Sequence, residues 1–399
     1  MAAHQLRVRP LEADDAEASR TLGFEAFGMP SSPPTEPASL DQPGRTFHGV
    51  FDDGRLVGRL ADRAYDSWFG GVQVPTCGIA GVTVALEDRG RGALRPLFAA
   101  ALRAAKERGA AVSGLFPSAA RIYRRLGYEL VGDYRTVKVA TAELAAVPTA
   151  DEVTTRRAAV DDLPAVRQVY DTWAAAQNGP LTRRGVSFPA SDADLLDDFD
   201  GITVAENGAG QVLGYASWDR GQHYDERGTL EVSDLLATSA DGYRALLAAL
   251  GSYSSVTPTT KIDTSGDDLA RLFLPGRAWE TVASDPYMIA IIDVPAALDR
   301  RGYPWFLSAR LAFRVAGDLV AGTDGAYRLE VAEGIGTCVL VDHTDDRTFH
   351  PRGLALLYAG VQSCANLRWA GLLTGGRPEQ DAVWDTLFGG RQFHIRDYY

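Results

Sequence analysis

The chain has 399 residues, 46% hydrophobic and 23% charged, the composition of a soluble globular protein long enough for two or three domains. Its net charge of −12 argues against a nucleic-acid partner, which normally requires a basic face. That charge suits a cationic small substrate, although it also serves plain solubility. The cysteines (Cys77, Cys338, Cys364) and the six dispersed histidines show no disulfide framework, CxxC or HExxH spacing. A reduced compartment and no metal are predicted. No signal-peptide core opens the chain and no run reaches membrane-spanning length, which predicts a cytoplasmic protein without a membrane partner.

In chain order, LRVRPLEADDAEASRTLGFEAF predicts a short strand and a helix opening at Asp14-Asp15, where acidic side chains cap free N–H groups. The proline-rich stretch GMPSSPPTEP (28–37) reads as a loop that could cover a site. GVFDDGRLVGRLADRAY (49–65) predicts two strands around the turn Asp52-Asp53-Gly54. VTVALEDRGRGALRPLFAAAL (82–102) predicts a strand, a charged turn and a helix. That helix puts Leu94, Leu97, Phe98, Ala101, Leu102 and Ala105 on one face.

After AAVPTADE (145–152), where Pro148 marks a break, the pattern returns. VTTRRAAVDDLPAVRQVYDTWA repeats the strand and helix, with Asp161-Asp162 at the helix start. TVAENGAGQVLGYASWD (203–219) repeats the hairpin around Glu206-Asn207-Gly208, and VSDLLATSADGYRALLAAL (232–250) repeats the strand–turn–helix. Trp173 and Trp218 read as core. From residue 293 the texture changes to a third α+β unit, with strands in 326–344 and a helical stretch over 354–373.

The copies differ at the turn. The first has Arg89-Gly90-Arg91-Gly92 before its helix; the second has Ser239-Ala240-Asp241-Gly242. Arginines at a helix N-terminus oppose the helix dipole, which makes sense if an anion arrives from outside; an ordinary basic turn is the other reading. Glycines let the backbone approach a ligand, and two guanidiniums can reach separate phosphate oxygens, so a diphosphate fits. Pro96 fits less well if the helix begins at Ala93. Neither GxxxxGK[ST] nor GxGxxG with a downstream acid is present.

What remains, strand–Arg-x-x-Gly-x-Leu–helix over Arg89 to Leu94, resembles the acyl-CoA pyrophosphate loop of the GNAT N-acetyltransferases. IYRRLGY (122–128) is similar to their YxxxGF/Y segment. With GFEAF (23–27) and DVPAALDRRGYP (293–304), nearly the whole chain resembles the Eis (enhanced intracellular survival) acetyltransferases. The resemblance implies tandem GNAT folds followed by a sterol-carrier-protein-like domain, with α/β and α+β units. The units are expected at 1–148 (catalytic GNAT), 149–292 (degenerate GNAT) and 293–399.

The resemblance also implies acetyl-CoA bound by Val82, Thr83 and Val84, by the turn Arg89, Gly90, Arg91, Gly92, Ala93, Leu94 and Arg95, and by Ser118 and Ala119. Tyr123 would protonate the departing thiolate, and the C-terminal carboxylate of Tyr399 would accept the amine proton. Homo-hexamers and acetylation of aminoglycosides are implied in the same way. The chemistry asks for both roles: an amine of pKa about 10 arrives protonated, and a leaving thiolate needs a proton.

Phe24, Glu25 and Phe27 are candidates for the amine pocket, although Ala26 stands where relatives have a second acid. Asp397 is a competing carboxylate near the end. Two other readings remain: a protein-lysine acetyltransferase, and a catalytically silent acyl-CoA- or lipid-binding scaffold.

Overall fold

The computed structural model describes residues 6–29, 37–223, 225, 227–274, 279–343 and 347–399. Most of the proline-rich loop at 28–37 lies outside the described residues. The first unit contains β1 (Arg7–Pro10), α1 (Ala16–Phe27), β2 (Arg45–Asp52), β3 (Arg55–Phe69) and β4 (Val72–Val84). It continues through α2 (Leu94–Glu107), β5 (Val112–Leu115), α3 (Ala120–Arg124), β6 (Glu129–Ala140) and α4 (Thr141–Ala145). The second has β7 (Val153–Arg157), α5 (Leu163–Ala175), α6 (Asp192–Asp197), β8 (Gly201–Asn207), β9 (Val212–Arg220) and β10 (Thr229–Ala237). It ends with α7 (Ala240–Gly251), β11 (Thr259–Ser265), α8 (Ala270–Phe273) and β12 (Glu280–Ile291).

The internal repeat is visible in matching local chemistry. Asp15 takes the backbone N–H of Glu12 and pairs with Arg9 at 2.5 Å; Asp162 takes that of Ala159 and pairs with Arg156 at 2.6 Å. The β2–β3 turn sits where expected, with Asp53 and Gly54 at φ +48° and +81°. Its counterpart runs later than predicted: β8 includes Glu206 and Asn207. The reversal follows, with Asn207 Oδ1 accepting from the backbone N–H groups of Ala209 and Gln211.

Both units share one sheet, ordered β1-β2-β3-β4-β5-β12-β6-β11-β10-β9-β8-β7. β12, from the second unit, lies antiparallel between β5 and β6 of the first, with Met288 opposite Leu115 and Ile289 opposite Glu129. All four residues of β5 are buried, so this strand needs a partner on each side to satisfy its backbone. α2 buries Leu97, Phe98, Ala101, Leu102 and Ala105 on the sheet, the face that periodicity picks out, with Leu94 half-buried.

The third unit has α9 (Val294–Asp299), β13 (Ala309–Val315), β14 (Gly325–Ala332), β15 (Ile335–Val341), β16 (Thr348–Phe349) and α10 (Pro351–Ala359). α11 (Cys364–Trp369), β17 (Leu373–Thr374) and α12 (Asp381–Phe388) complete it, and its sheet is ordered β15-β14-β13-β16-β17. The predicted single helical stretch is therefore two helices, broken where Gly360 takes φ +78°. A common core joins Tyr287, Ile289 and Ile291 of β12 to Phe313, Leu354, Tyr358 and Trp384. At about 1.5–3 kcal/mol for each large side chain, this core fixes the third unit against the shared sheet. All three cysteines are free and buried, and no helix among the described residues is long and apolar enough to cross a membrane.

Beyond α12 the chain runs back into the sheet. Asn178 donates its N–H to the Gln392 carbonyl at 2.8 Å, and His394 donates to the Asn178 carbonyl at 2.8 Å. Gly179 is required there: its φ is +101°, and a Cβ would fall 2.5 Å from both the Phe393 ring and the His394 carbonyl.

Candidate active site

Parallel pairing of β4 with β5 covers only Thr76–Gly78 against Val112–Gly114. β4 continues to Val84 along β3, with a register slip opposite Arg59–Ala61 and Gly81 at φ +58°. The two strands therefore part and open a wedge. Its walls are the facing backbone edges of 79–84 and 115–118, which have no strand partner across the gap among the described residues. Val82, Thr83 and Val84 lie on the first wall, and Ser118 and Ala119 follow the second. Such edges offer N–H and C=O groups to an extended amide-bearing ligand, as a missing strand would.

At the open end, Gly90 and Gly92 take φ +80° and +84°, which only glycine adopts without strain, and a Cβ on either would meet nothing within 4 Å. Asp88, buried beneath the turn, pairs with Arg55 at 2.9 Å and Arg91 at 3.1 Å. Arg89 donates Nε to the Val84 carbonyl at 3.3 Å. Arg95 reaches across to the Leu319 carbonyl of the third unit at 3.1 Å.

α2 begins at Leu94, not Ala93, and its Ala93 cap supplies no side-chain acceptor. The first helical bond is Leu97 N–H to Ala93 carbonyl. Pro96 therefore sits where an N–H would be unbonded in any case and costs the helix nothing, which removes the objection raised by its sequence position. In the second unit the same place is closed. Ser239 Oγ accepts the Gly242 N–H at 3.1 Å, and Asp241 pairs with Arg244.

Tyr123 lies on α3, only 5% exposed, with edge contacts to Phe98 and Tyr128. Burial raises its hydroxyl above the usual tyrosine range, offset in part by a hydrogen bond with Ser118 on the wedge wall. It stays protonated at neutral pH and is able to donate. The other tyrosine of this segment is committed elsewhere: Tyr128 is fully buried, with its hydroxyl 2.6 Å from Ser113 Oγ.

Tyr399 lies at the vertex. A Cβ on Gly78 would come 2.6 Å from the Tyr65 ring and 2.9 Å from that of Tyr399, and one on Gly114 would run into the Tyr287 hydroxyl and come 3.1 Å from that of Tyr399, so both glycines make room for this tyrosine cluster. The Tyr399 hydroxyl is 2.8 Å from that of Tyr287, and its ring contacts Tyr65 and Phe116 at 5.1 and 5.6 Å between centroids. Asp397, the competing carboxylate, is taken by Arg183 Nε at 2.8 Å. Burial pushes its pKa above the usual carboxylate range, against the pull of Arg183.

The α1 candidates are less engaged. Phe24 is half-buried while Glu25 and Phe27 are exposed, and none of the three makes a ring contact or ion pair among the described residues. Sequence reasoning missed Arg63 and Tyr65, which lie against Tyr399, and Phe188, which packs on Tyr65. The alternation of β3 groups Arg59, Ala61, Arg63 and Tyr65 on one side; nothing local says that the last residue of the sequence lies over them.

Residues 7–131 and 185–291 each match the family description "Acetyltransferase (GNAT) domain", and 294–396 match "Sterol carrier protein domain". The N-acetyltransferase Eis of Mycobacterium tuberculosis is 27% identical over 315 residues, covering 76% of this chain and 75% of its own length. The chain carries two GNAT acetyltransferase domains and a sterol carrier protein domain and is similar over most of its length to the N-acetyltransferase Eis. An uncharacterized N-acetyltransferase of Streptomyces griseus is 27% identical over 401 residues, covering 96% of this chain and 95% of that protein. The GCN5-related N-acetyltransferase from Kribbella flavida superposes with a TM-score of 0.83 at 28% identity, covering 99% of each chain. Eis1 from Mycobacterium abscessus shares the fold with a TM-score of 0.76 at 23% identity, covering 99% of this chain and 100% of its own. The chain is thus an acyltransferase of tandem GNAT and sterol-carrier-like architecture, in a class whose co-substrate is acetyl-CoA.

Proposed function

We propose that the protein transfers acetyl from acetyl-CoA to primary amines of small molecules. Polyamines such as aminoglycosides are the acceptors that the Eis resemblance implies. The carrying observation is the β4–β5 wedge, with an uncapped helix start and two glycines at its open end, Tyr123 bonded to Ser118 of one wall and the Tyr399 ring beside Gly78 and Gly114.

In this reading the N–H groups of Gly90, Gly92, Leu94 and Arg95 hold the diphosphate, with guanidinium charge from Arg89 and Arg91 beside it. The edge of Val82, Thr83 and Val84 aligns the pantetheine arm and polarises the thioester carbonyl, opposite Ser118 and Ala119. The main-chain carboxylate of Tyr399 takes the proton of the incoming ammonium. The amine nitrogen then bonds to the acetyl carbon, the carbon–sulfur bond breaks, and Tyr123 Oη gives the sulfur its proton. Alignment of amine and thioester supplies the larger share of the rate.

CoA release over a panel of amines, beside calorimetry with acetyl-CoA, tests this. Turnover of a small amine is expected. Acetyl-CoA binding without turnover of any amine or lysine peptide would make the protein a scaffold, and turnover of peptides alone would make it a protein-lysine acetyltransferase.

A further inference from the structure

α3 carries Tyr123, is five residues long and has no side-chain cap at Ala119. A helix of that length does not hold itself in water, so its orientation must be fixed from outside. The residue after Tyr123 supplies a polar anchor: Arg124 donates Nε to Glu129 Oε1 at 2.8 Å.

Glu129 opens β6 and is 4% exposed. Its Oε1 also accepts the Leu130 N–H at 2.9 Å, and its Oε2 accepts Arg352 Nε at 2.7 Å. Arg352 lies in the first turn of α10, in the third unit, and every other residue of that helix is buried. Pro351, beside it, faces the turn that ends α3: a Cβ on Gly127, at φ +92°, would come 3.8 Å from the Pro351 Cβ. Each oxygen of one carboxylate thus takes a guanidinium, one from the helix of Tyr123 and one from another unit.

Burying a carboxylate is costly unless its lone pairs are filled with good geometry, as they are here. Burial favours the neutral acid, but the Leu130 N–H, Arg124 and Arg352 outweigh it and hold Glu129 below the usual carboxylate range, so the bridge is charged at neutral pH. The second unit has no such bridge at the matching place. Glu280, which opens β12 after α8 as Glu129 opens β6 after α3, is exposed and stands 3.7 Å from Lys138. The third unit reaches the surroundings of Tyr123 at a second point. Val320 and Ala321 pack on the core cluster that holds Tyr123 and Leu126, and Asp318 fixes them by accepting their N–H groups at 2.8 and 3.0 Å.

We propose that Glu129 is a positioning residue for acetyl transfer and that the sterol-carrier-like unit takes part through Arg352: the Arg124–Glu129–Arg352 bridge fixes the roll of α3 and so aims the Tyr123 hydroxyl at the departing sulfur. Tyr123 and Arg124 are successive residues about 100° apart around the helix axis, so holding one side chain sets the direction of the other. The inference rests on Tyr123 as the acid of the acetyl-transfer reading, and the three bridging residues take no part in the bond changes.

The test follows CoA release by the full chain with the fastest amine among kanamycin, spermidine and butylamine, beside calorimetry with acetyl-CoA. Arg352→Gln leaves the Arg124–Glu129 pair in place, and should lower kcat about tenfold with acetyl-CoA affinity held within about twofold. Arg352→Lys keeps a donor and should recover most of that loss. Glu129→Gln should lose more, up to the loss of about 100-fold expected for Tyr123→Phe, because a residue acting through Tyr123 costs no more than Tyr123 itself. In the Tyr123→Phe background both changes should cost about twofold or less, whereas a bridge that only stabilises the fold would show its full cost again.

Arg352→Gln decides the matter even if Glu129→Gln does not fold. Its kcat staying within about twofold of the parent, falling below that of Tyr123→Phe, or dropping by the same factor in the Tyr123→Phe background would overturn the inference and leave acetyl transfer standing. An unchanged kcat in Tyr123→Phe would remove the acid and this inference with it, and failure of every amine would end the acetyl-transfer reading as well.

Discussion

Asp234→Asn tests how the tail that carries Tyr399 is held. Asp234, on β10, is 5% exposed. It accepts from the Tyr215 hydroxyl at 2.9 Å, forms an ion pair with Arg183, and lies 3.4 Å from Arg396. Arg183 also binds Asp397, so two cations and two carboxylates tie β10 to residues 396–397. Arg183 takes φ +52°, a left-handed conformation costing about 1–2 kcal/mol that the network must offset.

The amide keeps the shape of the side chain and removes its charge, leaving two buried guanidiniums to share Asp397. Breaking a buried pair costs about 3–5 kcal/mol, and the surviving carboxylate puts this case near the lower figure. At roughly 2–4 °C for each kcal/mol, Tm should fall by roughly 6–12 °C. A tail displaced by about 1 Å at Tyr399 should lower kcat by about 100-fold. Acetyl-CoA affinity should hold, since the 89–94 turn belongs to another unit.

The charge also sets a pH window. Burial alone would raise the Asp234 pKa, but Arg183 and Arg396 outweigh it and hold it at about 2. A depressed carboxylate pKa gives stability that is complete above about 4 and is lost as pH falls toward 2. The native chain should lose Tm through that range, and the asparagine variant less steeply. Calorimetric melting and CoA-release kinetics read both effects. A variant melting within about 1 °C of the parent, with kcat within about twofold, would refute this account of the tail.

Tyr123→Phe should reduce kcat by about 100-fold, the scale of general-acid catalysis, with little change in acetyl-CoA affinity by calorimetry; equal losses in both would deny it the proton. Adding one residue after Tyr399 should lower kcat more than it changes cofactor affinity, and full activity would remove that carboxylate from the mechanism. Gly92→Ala, at φ +84°, should weaken acetyl-CoA binding about tenfold through a backbone cost of about 1–2 kcal/mol, read by titration calorimetry. Burial and the Arg396 charge lower the His394 pKa to about 4. Its neutral form therefore gives stability that is complete above about 6.5 and is lost as pH falls toward 4. Tm measured across that interval should fall in the native chain and fall less in His394→Gln.

The repeat, the turn and the buried face of α2 were legible because each is local. Two hairpin signals, matched acidic helix starts and a 3.6-residue apolar rhythm lie within a few residues of one another, and the loss of arginine and glycine in Ser239-Ala240-Asp241-Gly242 needs no folding to be seen. The helix start at Leu94 was missed by one residue because the turn geometry, set by Gly92, decides where helical hydrogen bonding begins.

The sequence by itself determined two copies of one α/β unit, one of them with paired arginines and glycines before its helix, followed by a unit of different make. Only the tertiary structure decided that β12 fills the gap between β5 and β6 and that Gly78 and Gly114 lie under Tyr399. Short-range patterns record backbone preference and burial. Which distant segments share a sheet edge or a vertex depends on packing among all three units, and in this chain that packing brings residue 399 to residue 78.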